Sequence, residues 1–221
     1  MLEDRILYVD AEAIVIDKPA GLPVDTPRAG GDSVALRAAE LRLGFQRDPV
    51  AMHRLDRDTS GCLLFARNPK ARAKFQQAFE SNLVEKTYLA VLDGVPDGDE
   101  GLIDLPLAKV STAAEGWRMV HDDAGKSAQT RWRKLAERDG QSLVEFKPLT
   151  GRTHQIRVHA ARGLGAPVVG DPVYGGAGGP MLLHSRRLVV PRGAKPAIDA
   201  TAPMPETFGL WLDVLDGAHA A

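Results

Sequence analysis

The chain has little of what several function classes require. It holds one cysteine, Cys62, in 221 residues, so no internal disulfide can form and a zinc site built on thiolates is excluded. Cys62 precedes the apolar run Leu63-Leu64-Phe65 and reads as a small buried hydrophobe. No apolar run approaches the roughly 20 residues that span a bilayer. The opening Met1-Leu2-Glu3-Asp4-Arg5 is acidic and lacks the apolar core of an export signal. A soluble, cytoplasmic protein with no membrane partner is expected. Glycine patterns of dinucleotide or P-loop sites are missing as well.

Net charge is also small, at −1, which by itself argues against a nucleic-acid partner. The charges are segregated, however. Acidic residues gather at Asp97, Asp99, Glu100 and Asp104, and basic ones at Arg54 and Arg57, from Arg67 to Lys74, and at Arg152, Arg157 and Arg162. A polyanion responds to local positive surface, not to the total. Such runs are also ordinary solvated faces, so charge alone leaves both readings open.

Hydrophobic residues make up 44% and charged residues 26%, a globular composition. Short strands are predicted at Arg5–Val9 and Ala13–Asp17, followed by the stiff loop Lys18-Pro19-Ala20-Gly21-Leu22-Pro23-Val24. Asp32 or Ser33 is placed to cap a helix burying Val34, Ala38 and Leu41, which Gly44 would end. Asn68-Pro69 starts a second helix with Ala71, Phe75, Ala78 and Phe79 inward. Lys86–Leu92 reads as a strand. Asp139-Gly140 joins Ser127–Leu135 to Ser142–Pro148 as a hairpin. Strands outnumber helices without regular alternation, which predicts an α+β fold on a mixed, largely antiparallel sheet.

Four segments carry candidate chemistry. In His53-Arg54-Leu55-Asp56-Arg57-Asp58-Thr59-Ser60-Gly61, Asp56 lies between two arginines that favour its ionised form; a surface loop with incidental ion pairs is the plainer alternative. In Leu149–His159, Thr153 is placed to cap a helix running to about Arg162. His154 and His159 would lie about 140° apart on it, not on one face as a metal pair needs, and Arg152 and His154 suit a phosphate better. In Glu85–Val91, alternation puts Lys86 and Tyr88 on one strand face. The rigid Lys18–Val24 loop is expected to wall a site.

HRLDRDTSG at 53–61 resembles the catalytic motif of the RluA-like RNA pseudouridine synthases. IDKPAGLPV at 16–24 and LTGRTHQIRVH at 149–159 resemble that family's first and third motifs. EKTYLAVLDG at 85–94, GDPVYGG at 170–176 and LLHSRRL at 182–188 resemble further landmarks, in the family order. The resemblance implies a curved mixed sheet with flanking helices, a central catalytic cleft, and no metal or organic cofactor. It implies Asp56 as the catalytic aspartate, Tyr88 as the ring against the target base and a proton carrier, and Arg157 as the cation pairing with Asp56. Arg54 would enter the RNA stack; Lys18, Lys86, Arg152, His154 and Gln155 are expected as further RNA contacts. The partner would be structured ribosomal or transfer RNA. Members with an S4-type N-terminal RNA-binding domain exist; here a single, monomeric catalytic domain over 1–221 without one is expected. A catalytically silent RNA-binding module and a nucleosidase-like enzyme are the competing classes, the latter short of an obvious second carboxylate beyond Asp58.

Overall fold

The computed structural model describes residues 1–112, 116–175 and 178–217; Gly176, the end of the GDPVYGG segment, lies outside them. In chain order the strands are β1 (Ile6–Val9), β2 (Ala13–Lys18), β3 (Val50–Ala51), β4 (Ser60–Ala66), β5 (Glu85–Leu92) and β6 (Glu100–Asp104). They continue as β7 (Leu107–Thr112), β8 (Gly116–His121), β9 (Gln129–Arg138), β10 (Gln141–Pro148), β11 (Leu183–Arg192) and β12 (Lys195–Thr201). The helices are α1 (Pro69–Glu80), α2 (Gln155–Val158) and α3 (Leu212–Gly217). Two compact units form, Met1–Lys86 with His184–Pro203, and Thr87–Leu183 with Met204–Ala221.

In the first unit, β2 pairs antiparallel with β1 and with β4. β4 also pairs antiparallel with β3 and parallel with β11, which carries β12 on its far side. Every residue of β4 is buried, as are Ala13–Ile16 of β2. A strand covered on both faces reads as a continuous apolar run, as Cys62–Ala66 does. Helix α1 forms as predicted: the Asn68 side chain accepts from the Ala71 N–H at 2.9 Å, and Ala71, Phe75 and Ala78 are buried. Full burial of a side chain such as Phe75 contributes roughly 1.5–3 kcal/mol. Cys62 is fully buried, with its thiol pushed up to about 12 by that burial.

The segment after Ser33 differs from the prediction. Val34, Ala38 and Leu41 are buried as expected, but only the 3-10 turn Ala38–Leu41 is helical. The stretch is too short to propagate an α-helix on its own, and its Val34 and Ala35 N–H groups bond to the Pro23 and Val24 carbonyls. It braces the opening loop.

In the second unit, β5, β10, β9 and β6 pair in that order, all antiparallel. Asp139 and Gly140 both have positive φ, 52° and 76°, the geometry that an Asp-Gly hairpin turn selects. Leu89 and Val91 of β5 and Leu143 of β10 pack with Leu182, Phe208 and Trp211. β7 and β8 form a separate two-stranded ribbon, anchored where Leu107 and Met119 meet Ala128 and Val158. The fold is thus α+β with a mixed, largely antiparallel strand arrangement, as predicted.

Candidate active site

The HRLDRDTSG segment runs from β3 into β4 in the first unit. His53 is bound at its start: Nε2 accepts the Leu64 N–H at 3.1 Å, and the ring stacks on Phe79 with centroids 5.1 Å apart. At its end, Gly61 has φ 104°, and a Cβ there would lie 2.2 Å from the Ser185 carbonyl oxygen. Only glycine permits this close approach of β4 to β11. Between these anchors Leu55 and Thr59 are buried, and the Thr59 N–H closes a turn on the Asp56 carbonyl at 3.2 Å. Asp56 is left half-buried at the bend. Arg54 stands outward, its side chain 68% exposed, in an ion pair with Asp25 at 2.9 Å.

Lys18 overturns an expectation. It is fully buried, and its three ammonium protons go to the Pro19, Leu22 and Arg57 carbonyls at 2.8, 2.8 and 3.0 Å. No donor is left for a phosphate, since an ammonium has three. Lys18 instead clamps the opening loop to the Asp56 loop, aided by the Gly21 N–H bond to the same Arg57 carbonyl at 2.9 Å. Burial pulls its ammonium down to about 8, against the nearby charges of Asp58, Asp56 and Asp17. Lys86 is half-buried, and burial lowers it too.

His53 and His184 are pushed down to about 3 and about 4, in both cases chiefly by burial; for His53 the charge of Lys86 adds to it. His184 Nδ1 lies 2.8 Å from Ser60 Oγ. Both rings stay neutral in the folded chain, whereas unfolded histidine protonates below about 6.5. The unfolded state therefore binds more protons as pH falls from about 6.5 toward the folded values. Stability falls across that window, by up to about 1.4 kcal/mol per pH unit per histidine. Urea unfolding from pH 7 to 4.5 should show this slope, and His53→Gln should flatten it; an unchanged slope in the variant would place the proton uptake elsewhere.

In the second unit, Tyr88 sits on β5 opposite Phe146, 9% exposed. The LTGRTHQIRVH segment folds differently from its predicted helix. Thr153 does not cap it: His154 takes that place with φ 53°, and α2 begins at Gln155, passing into a π turn over His159–Gly163. Gln155 is 4% exposed. Its Oε1 accepts from Thr150 Oγ1 and the Arg152 N–H at 2.8 and 2.9 Å, while Nε2 donates to the Gln129 carbonyl and Thr130 Oγ1 at 3.0 and 2.9 Å. With both amide atoms fully engaged, Gln155 shapes the loop and has no side-chain donor or acceptor to spare for the RNA contact expected of it. His159 is buried, donating through Nε2 to the Leu105 carbonyl at 3.1 Å, so Nδ1 accepts from Thr130 Oγ1 at 2.9 Å. Among the described residues, no group of three or more His, Cys, Asp or Glu side chains is placed to hold a metal ion.

Arg157 is buried and meets Asp171, itself fully buried, in a two-pronged pair: Nε to Oδ2 and the terminal nitrogen to Oδ1, both at 2.7 Å. The Val173 and Tyr174 N–H groups also donate to Asp171 Oδ1. Burial pushes the Asp171 carboxyl up, but the Arg157 guanidinium and these N–H groups outweigh it and hold the carboxyl below its usual range. Asp171 was not singled out from the sequence; its only signal was its place in GDPVYGG. Arg152 is exposed and half-buried His154 bonds through Nδ1 to Tyr174 at 2.9 Å.

Residues 12–162 match the family model described as RNA pseudouridylate synthase. The chain is 53% identical over 212 residues to an uncharacterized RNA pseudouridine synthase of Zymomonas mobilis, covering 94% of this chain and 97% of that one. It is 40% identical over 176 residues to ribosomal large subunit pseudouridine synthase C of Rickettsia bellii, spanning 78% of this chain and 57% of the relative. The solved structure of human RNA pseudouridylate synthase domain containing 4 matches with a TM-score of 0.80 at 26% identity, over 97% of this chain and 94% of that one. The chain belongs to the RluA-like family of RNA pseudouridine synthases, isomerases that act on uridine in RNA.

Proposed function

We propose that this chain isomerises a uridine within structured ribosomal or transfer RNA, with Asp56 as the catalytic carboxylate. The observation that carries this reading is the HRLDRDTSG loop. Lys18, Leu55 and Thr59 are buried around it, while Asp56 stays half-buried at its bend. A preorganised carboxylate on a fixed loop costs no rearrangement when charge develops on the sugar. Relatives with ribosomal large subunit in their names favour a ribosomal target.

The reaction breaks the uridine N1–C1′ bond, turns the uracil, and joins C5 to C1′. The C5 proton leaves, N1 ends as N–H, and no oxidant or reductant is consumed. Asp56 stabilises or attacks the sugar–base unit, Tyr88 supplies the base that moves the C5 proton, and Arg157 supplies the positive charge proposed for the reaction. Tritium release from RNA labelled at uridine C5 tests the reading: release equal to the pseudouridine formed is expected. Free uracil as product would instead support the nucleosidase class, and no release from any RNA a silent binding module.

The target base is stacked, so the nucleotide must be flipped out. Arg54, exposed on the Asp56 loop, is the side chain proposed to fill the vacated place. Arg54→Ala should lose roughly 1–3 kcal/mol by analogy with base stacking, about 5- to 150-fold in activity on a folded stem-loop. On an unstructured oligomer the loss should shrink, because little stack has to open. Equal losses on the two RNAs would leave Arg54 as a backbone contact.

A further inference from the structure

On the reading above that the site acts on structured RNA, we infer that Trp117, on the β7–β8 ribbon, is a stacking platform for a nucleobase other than the uridine being isomerised. Of the three tryptophans, Trp132 and Trp211 are 8% and 7% exposed, whereas Trp117 is 48% exposed. The register sets Ser111 opposite Trp117 and Lys109 opposite Met119. Opposed residues of an antiparallel pair share a face, so Lys109, Ser111, Trp117 and Met119 point to one side. Met119 holds that side against the core. Trp117, toward the start of β8, lies beyond Met119 and outside that buried cluster.

The surroundings of the indole suit a base with its phosphate. Lys109 Nζ stands 5.0 Å from the ring centroid, and the His154 ring lies 5.0 Å away at 34°. His154 meets Tyr174 edge-on at 5.6 Å, and the Arg157 guanidinium lies 5.1 Å from the Tyr174 ring. A continuous series of ring contacts thus runs from buried Arg157 out to exposed Trp117. A base on Trp117 therefore sits several contacts away from Arg157 and belongs to a neighbouring nucleotide. Lys109 is exposed on a flexible stem and can exchange the ring for a phosphate once a base covers the indole. An exposed indole bordered by Lys109 and His154 differs from the contiguous apolar patch that a protein partner needs, and every base offers a π-face to stack.

The rival role is packing: Trp117 holding His154 in place. Trp117→Leu keeps apolar bulk against His154 and removes the π-face, whereas Trp117→Tyr keeps a ring. The probes are a labelled oligouridine and an abasic ribose-phosphate oligomer of equal length, at one salt concentration. Trp117→Leu should bind oligouridine about 5- to 150-fold more weakly, Trp117→Tyr should recover most of that, and the abasic oligomer should bind all three proteins alike. Oligouridine should also quench the wild-type emission of the exposed tryptophan, a readout that needs no variant. Equal affinity of the wild type and Trp117→Leu for oligouridine overturns the platform. Equal losses on both probes, or emission that oligouridine leaves unquenched, overturn it too. Failure of the substrate reading is separate, because it shows as no tritium release by the wild type whatever Trp117 does.

Discussion

Asp56→Asn is expected to abolish turnover on RNA while leaving RNA affinity within about tenfold. The substitution is isosteric and removes one charge from a half-buried position. Affinity should survive because phosphate contacts supply most of the binding to a polyanion. The loop should survive as well, since its anchors are elsewhere: Lys18 on three carbonyls, His53 on the Leu64 N–H, and buried Leu55. One structural side effect is foreseeable. The Asp56 charge favours the ionised form of Lys18, so the variant should lower that ammonium further below about 8. Turnover, filter binding and thermal melting on the same preparation separate the effects. Retained turnover of even a few per cent would remove Asp56 from the proposed role, and a collapsed melting curve would move the loss from chemistry to folding.

Asp171→Asn should be the most damaging single substitution for stability. Arg157 and Asp171 are 6% and 0% exposed as side chains, and removing one partner from a buried ion pair typically costs about 3–5 kcal/mol. That is a large part of the roughly 5–15 kcal/mol that holds a domain folded. The carboxamide makes matters worse, because its NH2 would face an Arg157 N–H where an oxygen now accepts. Urea unfolding should read the loss. Arg157→Met combined with Asp171→Asn should be less harmful than the two losses added, since the double variant leaves no charge facing the lost carboxylate. Turnover should fall in Asp171→Asn even where it remains folded, because Arg157 would lose the carboxylate that orients it. An unfolding free energy within about 1 kcal/mol of the wild type would show the pair to be dispensable.

Lys18, Gln155 and Asp171 are residue types that usually stay at the surface, and each is buried. A lysine at the start of the Lys18–Val24 loop suggests a phosphate contact by residue type alone. Its actual role depends on the Arg57 carbonyl, 39 residues away. Gln155 depends likewise on Gln129 and Thr130, some 25 residues back. Asp171 depends on Arg157, 14 residues back. No local window contains these partners. The ribbon of β7 and β8 was missed for a related reason. Its burial comes only from Leu107 and Met119 meeting side chains of other elements, which leaves a weak alternation in the sequence itself.

What the sequence determined by itself was local or compositional. Asn68-Pro69 with apolar residues at helical spacing produces α1. Asp139-Gly140 produces the turn between β9 and β10 through two positive φ angles. The ordered motifs are legible as a family because each must present particular side chains at a fixed place. These choices are set by the backbone preferences and periodicity of neighbouring residues, so a chain read in one dimension contains them. Tertiary structure alone decided which polar groups would be withdrawn from solvent, and so which ones shape the loops and which remain to meet RNA. The physical reason is desolvation: a buried ammonium, amide or carboxylate persists only where distant segments complete the hydrogen bonds that water gave up and that near neighbours alone leave unmade. Lys18 among three carbonyls, Gln155 between two strands of chain, and Asp171 against Arg157 meet that condition only in the folded protein.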